Sequence, residues 1–256
     1  MSDELLFEVT DGIGRVTFNR PAQRNALTWA MYDGLVGAIE QANADDGIRA
    51  MVLTGAGGRA FAAGTDIGQF RAFNAPEDAI GYEQRIDAVL NALEACRVPT
   101  IAAIAGACTG GGAGIAACCD LRIAAEGARF GFPIAKTLGN CLSMANLARL
   151  SALIGAARVK EIIFTARLIE TEEARQIGLV SEVVAPDALL SRADELAQTV
   201  AGHAPLTLRA TKMQLRKLRG DVPEDEALIL MCYQSADFRE GMEAFLAKRQ
   251  PRWRGA

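Results

Sequence analysis

Three consecutive glycines stand where a strand pattern meets an apolar helical segment. Residues 109–120 read TGGGAGIAACCD and follow the β-branched, apolar run TIAAIA at 100–105, an order that predicts a strand, a glycine turn and a buried helix. Because glycine lacks a Cβ, a ligand can approach the backbone of this turn. The free N–H groups of the helix start suit a phosphate or a developing oxyanion. The segment has no charged side chain before its terminal aspartate, so it predicts polarisation without proton transfer.

A second segment of small residues follows another strand pattern. The run RAMVLTG is succeeded by AGGRAFAAGTDI, in which Ala62, Ala63 and Gly64 leave the backbone open to a ligand. Asp66 is placed to cap a helix that begins near Ile67. The sequence therefore contains two separate segments whose backbone N–H groups can face a ligand.

The elements that must position these segments alternate between strands and helices. Strand patterns occupy residues 5–10 and 13–18 around an Asp-Gly hairpin signal, and recur at 50–55, 100–105 and 121–124. A helix is predicted over 28–43, with helical stretches up to residue 95. From about Ser143 the pattern is mainly helical. The predicted helices there are 143–153, 156–165, 171–177, 188–200, 206–218 and 224–248 with a break near Asp237.

The chain has 256 residues, half of them hydrophobic, which is enough for one large α/β unit with a sizeable core. A net charge of −4 argues against a nucleic-acid binder, and no apolar run approaches the roughly 18–20 residues that span a bilayer. The acidic N-terminus is unlike a signal peptide. Six cysteines without a CxxC pair predict reduced core residues in a cytoplasmic protein. The single histidine, His203, is expected in a loop between two helices, so no metal site is predicted.

Several motifs resemble the crotonase (enoyl-CoA hydratase/isomerase) superfamily. FAAGTD and IAGACTGGGAGI followed by CDLRIA are similar to its two oxyanion-hole segments. RPAQRNAL, ARQIGLVSEVV and EGMEAFLAKRQPRW match further family motifs in the same order along nearly the whole chain. The resemblance implies an α/β fold with a crotonase-type ββα spiral core over residues 1–190. A C-terminal helical region over 191–256 would then pack subunits into homotrimers or dimers of trimers.

The same resemblance implies an acyl-CoA thioester as substrate, with no cofactor besides the coenzyme A that the substrate carries. The backbone N–H groups of Thr65 and Gly111 would stabilise the negative thioester oxygen of an enolate or tetrahedral anion. Arg24 and Ala26 would lie near the CoA phosphates and Ala62 near the adenine. The remaining implied substrate contacts are Ala63, Gly64, Asp66, Ile67, Gly110, Phe132, Ile134, Asn140 and Lys248.

The basic residues in this set have an alternative interpretation. Lys248 and Arg249 resemble a C-terminal basic pair that reaches CoA phosphate, in some arrangements across a subunit boundary. For Arg24, Lys248 and Arg249 alike, a solvated surface charge explains the sequence equally well.

Two departures from the family pattern limit what the resemblance implies about the reaction. Hydratases of this superfamily use two glutamates for proton transfer, but Gly114 and Ile134 occupy those positions here. Hydration by the usual mechanism is therefore not expected. Four alternatives stay open: an isomerase with a non-standard base, a thioester hydrolase, a dehalogenase-like displacement, and a non-catalytic acyl-CoA-binding or assembly subunit.

The loop KTLGNCLSMAN at 136–146 is where reaction-specific residues are expected. Its Gly-Asn-Cys run resembles aromatic acyl-CoA dehalogenases, which, with a one-residue gap, carry a nucleophilic aspartate where Cys141 stands here. Cys141 near a helix N-terminus is a candidate nucleophile or acid, or else a small buried cysteine. Asn140 would position a water or form the turn. Phe132 and Ile134 predict an apolar acyl group, and Glu83 and Asp87 are expected on a solvated helical face.

Overall fold

The computed structural model describes residues 3–219, 230 and 233–252. The ten strands within this part of the chain are β1 (Leu5–Thr10), β2 (Ile13–Phe18), β3 (Ala50–Gly55), β4 (Ala60–Ala62), β5 (Thr100–Ile104), β6 (Ala107–Thr109), β7 (Leu121–Ala125), β8 (Arg129–Gly131), β9 (Ile169–Glu170) and β10 (Glu182–Val184).

The α-helices in the described part of the chain are also numbered in chain order. They are α1 (Trp29–Ala44), α2 (Pro76–Glu94), α3 (Gly111–Cys118), α4 (Ile134–Thr137), α5 (Met144–Ile154), α6 (Ala156–Thr165), α7 (Thr171–Gln176), α8 (Leu189–Ala201), α9 (Pro205–Leu218) and α10 (Ala236–Leu246).

The larger sheet has six strands in the order β1-β2-β3-β5-β7-β10. Only β1 and β2 are antiparallel, and they form the predicted hairpin, whose turn residues Asp11 and Gly12 have φ of +50° and +76°. The later strands pair in parallel, and the central strands β3 and β5 are buried on both faces, because α8 covers one face with Leu189, Ala193 and Ala197.

The smaller sheet, β4-β6-β8-β9, was not predicted from the sequence. Strands of two or three residues are too short to show an alternating pattern. β4, β6 and β8 each follow directly after β3, β5 and β7, so each repeating unit supplies one strand to each sheet before its helix. This repeat confirms the ββα spiral that the motifs implied.

Most predicted elements lie within one or two residues of their observed bounds. Thr28 caps α1 and Ser143 caps α5, each accepting a hydrogen bond from a backbone N–H of the first turn. Asp66 caps a 3-10 helix (Ile67–Ala72), as predicted. His203 lies between α8 and α9, also as predicted. Of the predicted helix over 224–248, residues 224–229 and 231–232 lie outside the described residues.

The C-terminal helices differ in how they pack. The fourteen residues of α9 are all described and none is buried, while Leu206, Leu215 and Leu218 are strongly exposed. In contrast, α10 packs against α4 and the 3-10 helix. The predicted boundary after residue 190 falls within α8 and stays a prediction. Among the described helices, none combines the length and apolarity needed to cross a bilayer.

Close packing of α3 against β4 requires glycine at position 112. A Cβ on Gly112 would lie 2.2 Å from the Ala62 carbonyl oxygen, which is rigid backbone. We expect Gly112→Ala to lower the free energy of unfolding by about 1–3 kcal/mol. Gly37 in α1 has nothing within 4 Å of its Cβ position, so Gly37→Ala should raise it by about 0.5–1 kcal/mol. Urea unfolding measures both, and equal stability of the two variants would contradict this packing.

Candidate active site

The two glycine segments predicted from the sequence meet at one end of a cavity of about 600 Å³. Gly64 has φ of +99° and Gly110 has φ of +51°, both in the region that favours glycine. A Cβ on Gly110 would lie 3.4 Å from the Gly64 Cα. The two backbones are therefore in direct contact, with no side chain between them.

Thr65 is held by a backbone ladder with Leu27. The Leu27 N–H donates to the Gly64 carbonyl at 2.8 Å, and the Asp66 N–H donates to the Leu27 carbonyl at 2.9 Å. Thr65 lies between these two bonded residues, and in a parallel bridge a residue in that position points its own N–H away from the partner strand. The Thr65 N–H consequently has no hydrogen-bond partner among the described residues.

Gly111 presents a second unpaired donor. It is the first residue of α3, where an N–H has no partner within the helix. The preceding N–H, of Gly110, donates to the Gly131 carbonyl at 3.0 Å and fixes the turn. Gly111 N is likewise without a partner among the described residues, and both Gly111 and Thr65 line the cavity. Two adjacent unpaired N–H groups on a cavity wall can bind one anionic oxygen.

Two tyrosines that the sequence analysis did not single out fix the Thr65 side chain. Its Oγ1 lies 2.8 Å from the Tyr32 hydroxyl and 3.0 Å from the Tyr82 hydroxyl. Burial raises the pKa of both phenols well above the ordinary value. Both hydroxyls therefore stay protonated at neutral pH and serve as hydrogen-bond partners.

The two positions at which hydratases of the superfamily carry glutamates are part of the cavity wall. Gly114 and Ile134 both line it, together with Phe132. A Cβ on Gly114 would be 3.6 Å from Leu90 Cδ1, an ordinary contact. Other apolar side chains complete this part of the wall, namely Ile86, Leu138, Leu142, Leu168, Phe245 and Leu246.

The carboxylate of Glu83 was wrongly expected in solvent. It lines the cavity and Glu83 is only 5% exposed, because Ala79, Glu83, Ile86 and Leu90 share the buried face of α2. The Tyr233 hydroxyl donates to Glu83 Oε1 at 2.5 Å. A helical stripe of apolar residues interrupted by one glutamate was the signal in the sequence.

Asp87 is likewise not a solvated group on an open face. Its Oδ1 accepts hydrogen bonds from Ser143 Oγ at 2.9 Å and from Asn146 Nδ2 at 3.3 Å. It also lies 3.7 Å from the buried Arg149 guanidinium. Asp87 therefore ties α2 to the start of α5 and to the end of the 136–146 loop.

The 136–146 loop borders the cavity. Asn140 and Cys141 both line it, and Asn140 Nδ2 donates to the Tyr233 hydroxyl at 3.1 Å. Asn140 Oδ1 is buried and has no hydrogen-bond partner among the described residues. Cys141 is half-buried. The loop thus supplies both polar atoms and a thiol to the cavity.

Most of the remaining residues that were predicted to contact the substrate line the cavity. Arg24, Ala26, Ala63, Asp66 and Ile67 line the cavity, with Arg24 exposed at its edge.

Ala62 and Lys248 are not part of the cavity wall. Ala62 is fully buried in β4, and Lys248 is exposed after α10. The neighbouring Arg249 forms a bidentate ion pair with Glu240, with N–O distances of 2.6 and 2.8 Å.

Comparisons with known proteins identify relatives over the whole chain. Residues 8–256 match the model of the family described as enoyl-CoA hydratase/isomerase. A short-chain-enoyl-CoA hydratase of Clostridium acetobutylicum is 36% identical over 97% of this chain and 96% of its own length.

Two solved structures show the same similarity in three dimensions. An enoyl-CoA hydratase/carnithine racemase from Magnetospirillum magneticum is 36% identical, with a TM-score of 0.81 over 100% of this chain and 97% of its own. A methylmalonyl-CoA decarboxylase in complex with 2-nitronate-propionyl-CoA is 26% identical, with a TM-score of 0.90 over 99% of both chains.

The cysteines should differ sharply in reactivity. Burial raises the pKa of Cys96, Cys108 and Cys118, and raises that of Cys119 to about 12, so at pH 8 these four stay protonated and unreactive. We expect iodoacetamide at pH 8 to modify Cys141 before any of them, and a bound CoA ester to protect it. Peptide mapping by mass spectrometry measures this. Modification of the buried four ahead of Cys141 in the native protein would contradict it; Cys232 lies outside the described residues.

Proposed function

The chain belongs to the enoyl-CoA hydratase/isomerase family, and we propose that it is an enzyme that binds an acyl-CoA thioester and stabilises its enolate or oxyanion. The observation that carries this proposal is the pair of unpaired N–H groups of Thr65 and Gly111 on one cavity wall. Both would donate to the thioester oxygen. A donor of this kind typically contributes about 3–4 kcal/mol to a transition state that carries charge on oxygen.

The geometry supports charge stabilisation because the donors are fixed before the substrate binds. The Leu27 ladder and the Gly110–Gly131 hydrogen bond hold the two backbones, so little reorganisation accompanies the reaction. The methylmalonyl-CoA decarboxylase relative offers a chemical parallel. A nitronate carries negative charge on oxygens that are bonded to nitrogen and conjugated with the adjacent carbon. An enolate likewise carries its charge on an oxygen conjugated with the α-carbon, and the nitronate complex has this fold.

We assign the two ends of the cavity by their chemistry. The apolar side chains around Phe132 and Ile134 favour an uncharged, apolar acyl group. Arg24, exposed at the cavity edge, is the described lining residue best suited to a CoA phosphate. Arg249 is engaged by Glu240, so its contact with phosphate would require that ion pair to open.

Hydration by two glutamates is not part of the proposal, although several relatives are named hydratases. Gly114 and Ile134 cannot accept or donate a proton. The alternative functions are a dehalogenase-like displacement or a thioester hydrolysis that uses the Asn140–Cys141 loop, and a non-catalytic acyl-CoA-binding or assembly subunit. Two N–H donors directed at one oxygen favour catalysis over binding alone.

We also propose that the protein works as a homotrimer or a dimer of trimers in the cytoplasm. The support for assembly is α9, which leaves Leu206, Leu215 and Leu218 exposed in a single subunit. The support for a reducing compartment is that no disulfide joins any two of the five described cysteines.

The contribution of the Gly111 N–H can be tested by removing that atom. Proline is tolerated at the first position of a helix and lacks an N–H. A Cβ here would lie 2.4 Å from the Tyr32 hydroxyl, so the substitution is made in a Tyr32→Phe background. We expect Gly111→Pro to lower kcat by about 10²–10³-fold relative to its control.

The matched control is Gly111→Ala in the same Tyr32→Phe background, which adds a Cβ but keeps the N–H. Circular dichroism and CoA-ester binding establish that both variants fold. Equal kcat values for the alanine and proline variants would remove Gly111 from the oxyanion hole. A crystal structure with a CoA ester should place the thioester oxygen about 2.7–3.2 Å from both nitrogens.

Hydration of crotonyl-CoA should be slow in the natural protein. Loss of one acid or base typically costs about 10²–10⁴-fold, and two are missing. A Cβ at Gly114 meets only an ordinary contact, so Gly114→Glu with Ile134→Glu should increase the hydration rate, measured by loss of enoyl absorbance. A rate in the natural protein equal to that of a two-glutamate hydratase would contradict this expectation.

A further inference from the structure

The cavity holds a carboxylate that the family pattern does not account for. Among the described residues that line the cavity, the carboxylates are Asp66 and Glu83. Asp66 is committed to structure: its Oδ2 pairs with Arg20 at 2.9 Å and its Oδ1 caps the 3-10 helix through the Gly68 N–H. Glu83, by contrast, is only 5% exposed and lines the cavity together with the apolar side chains of its own helix, Ile86 and Leu90.

Glu83 is held in place by a chain of hydrogen bonds. Asn140 Nδ2 donates to the Tyr233 hydroxyl, which in turn donates to Glu83 Oε1. Burial raises the pKa of Tyr233 well above its ordinary value, so this phenol stays a donor at neutral pH. A donor of this kind stabilises the ionised form of its acceptor, which is the form that takes up a proton.

The carboxylate lines the same cavity as the two oxyanion donors, Thr65 and Gly111. Tyr82, the residue before Glu83 on α2, contacts Thr65 Oγ1 at 3.0 Å. After burial, the charge of Glu83 is among the causes that raise the pKa of both Tyr32 and Tyr82, the two phenols bonded to Thr65. A thioester whose oxygen faces Thr65 N would thus have its acyl chain in a cavity that Glu83 also lines.

We propose that Glu83 is the proton-transfer residue of this enzyme and that its reaction is isomerisation of a 3-enoyl-CoA to the conjugated 2-enoyl-CoA. This inference rests on the proposed enolate stabilisation. One carboxylate is sufficient for such a shift, because the proton removed from one carbon is returned to another. Hydration would also require a group that activates water.

The proton transfer is balanced without any further reactant. Glu83 takes a proton from the α-carbon, and the electron pair of that C–H bond forms the bond between the α-carbon and C1. The carbonyl electron pair moves to the thioester oxygen, where the two N–H groups receive the charge. In the second step the electron pair on oxygen reforms the carbonyl, and the pair between C1 and the α-carbon forms the α–β double bond. The former β–γ pair takes the proton from Glu83 at the γ-carbon, which leaves the carboxylate ionised again.

The first test is exchange of the α-protons of hexanoyl-CoA with D₂O, followed by mass spectrometry, because it requires only enolate formation. We expect the natural protein to catalyse exchange and Glu83→Gln to lose about 10²–10⁴-fold of the rate. Glutamine has nearly the same shape and can still accept from Tyr233. Glu83→Asp, which keeps a carboxylate on a shorter side chain, should retain an intermediate rate.

The matched control is Glu77→Gln, the same substitution at an exposed position of the same helix. It should exchange at the natural rate. Hexanoyl-CoA binding by calorimetry shows that each variant retains the site. Isomerisation of 3-hexenoyl-CoA, followed by the absorbance of the conjugated product, should decline in parallel with exchange.

The outcomes separate the two proposals. If the natural protein catalyses exchange and Glu83→Gln does so at the same rate, the role of Glu83 is overturned while the oxyanion hole is still supported. Binding without exchange by the natural protein would overturn enolate stabilisation and the isomerase with it. Exchange that depends on Glu83, without conversion of 3-hexenoyl-CoA, would overturn the isomerase assignment alone.

The role of Tyr233 as a positioning residue has its own readout. Tyr233→Phe keeps the ring among Phe70, Tyr82 and Phe238 and removes the hydroxyl. We expect kcat for isomerisation to decrease while KM stays unchanged, since the carboxylate is still present but less well held. A parallel change in both constants would assign Tyr233 to packing.

Discussion

The cavity depends on one backbone contact, in which the chain at Gly64 meets the chain at Gly110, each with a positive φ that favours glycine. Each is bound on its far side, by Leu27 and by Gly131 respectively, so the N–H groups of the next residues are left facing the cavity. The second sheet, the capped 3-10 helix and the start of α3 all serve to hold this contact. Without this contact, the two N–H groups would not face the same point in the cavity.

Polarisation and proton transfer come from different layers of the molecule. The N–H groups belong to loops at the ends of short strands and follow directly from the spiral repeat. The carboxylate of Glu83 belongs to α2. Its hydrogen-bond donor, Tyr233, follows α9 in the sequence. In this protein the N–H donors and the proposed proton-transfer carboxylate therefore depend on different parts of the chain.

The sequence predicted the features that depend on neighbouring residues. The hairpin turn at Asp11 and Gly12, the cap at Asp66 and the glycine start of α3 are all local, and all are observed. The four-stranded sheet was missed because its strands are too short for a pattern. Glu83 was misjudged because a glutamate on a helix is most often solvated, and because Tyr233, which donates a hydrogen bond to it, is 150 residues away along the chain.

The distance along the chain between Glu83 and Tyr233 has a consequence for biosynthesis. During translation both oxyanion segments emerge and can fold long before residue 233 leaves the ribosome. A chain that ends before residue 233 would contain both oxyanion segments but lack the hydroxyl that donates to Glu83. Loss of the C-terminal part therefore affects the proposed proton transfer without removing either N–H donor.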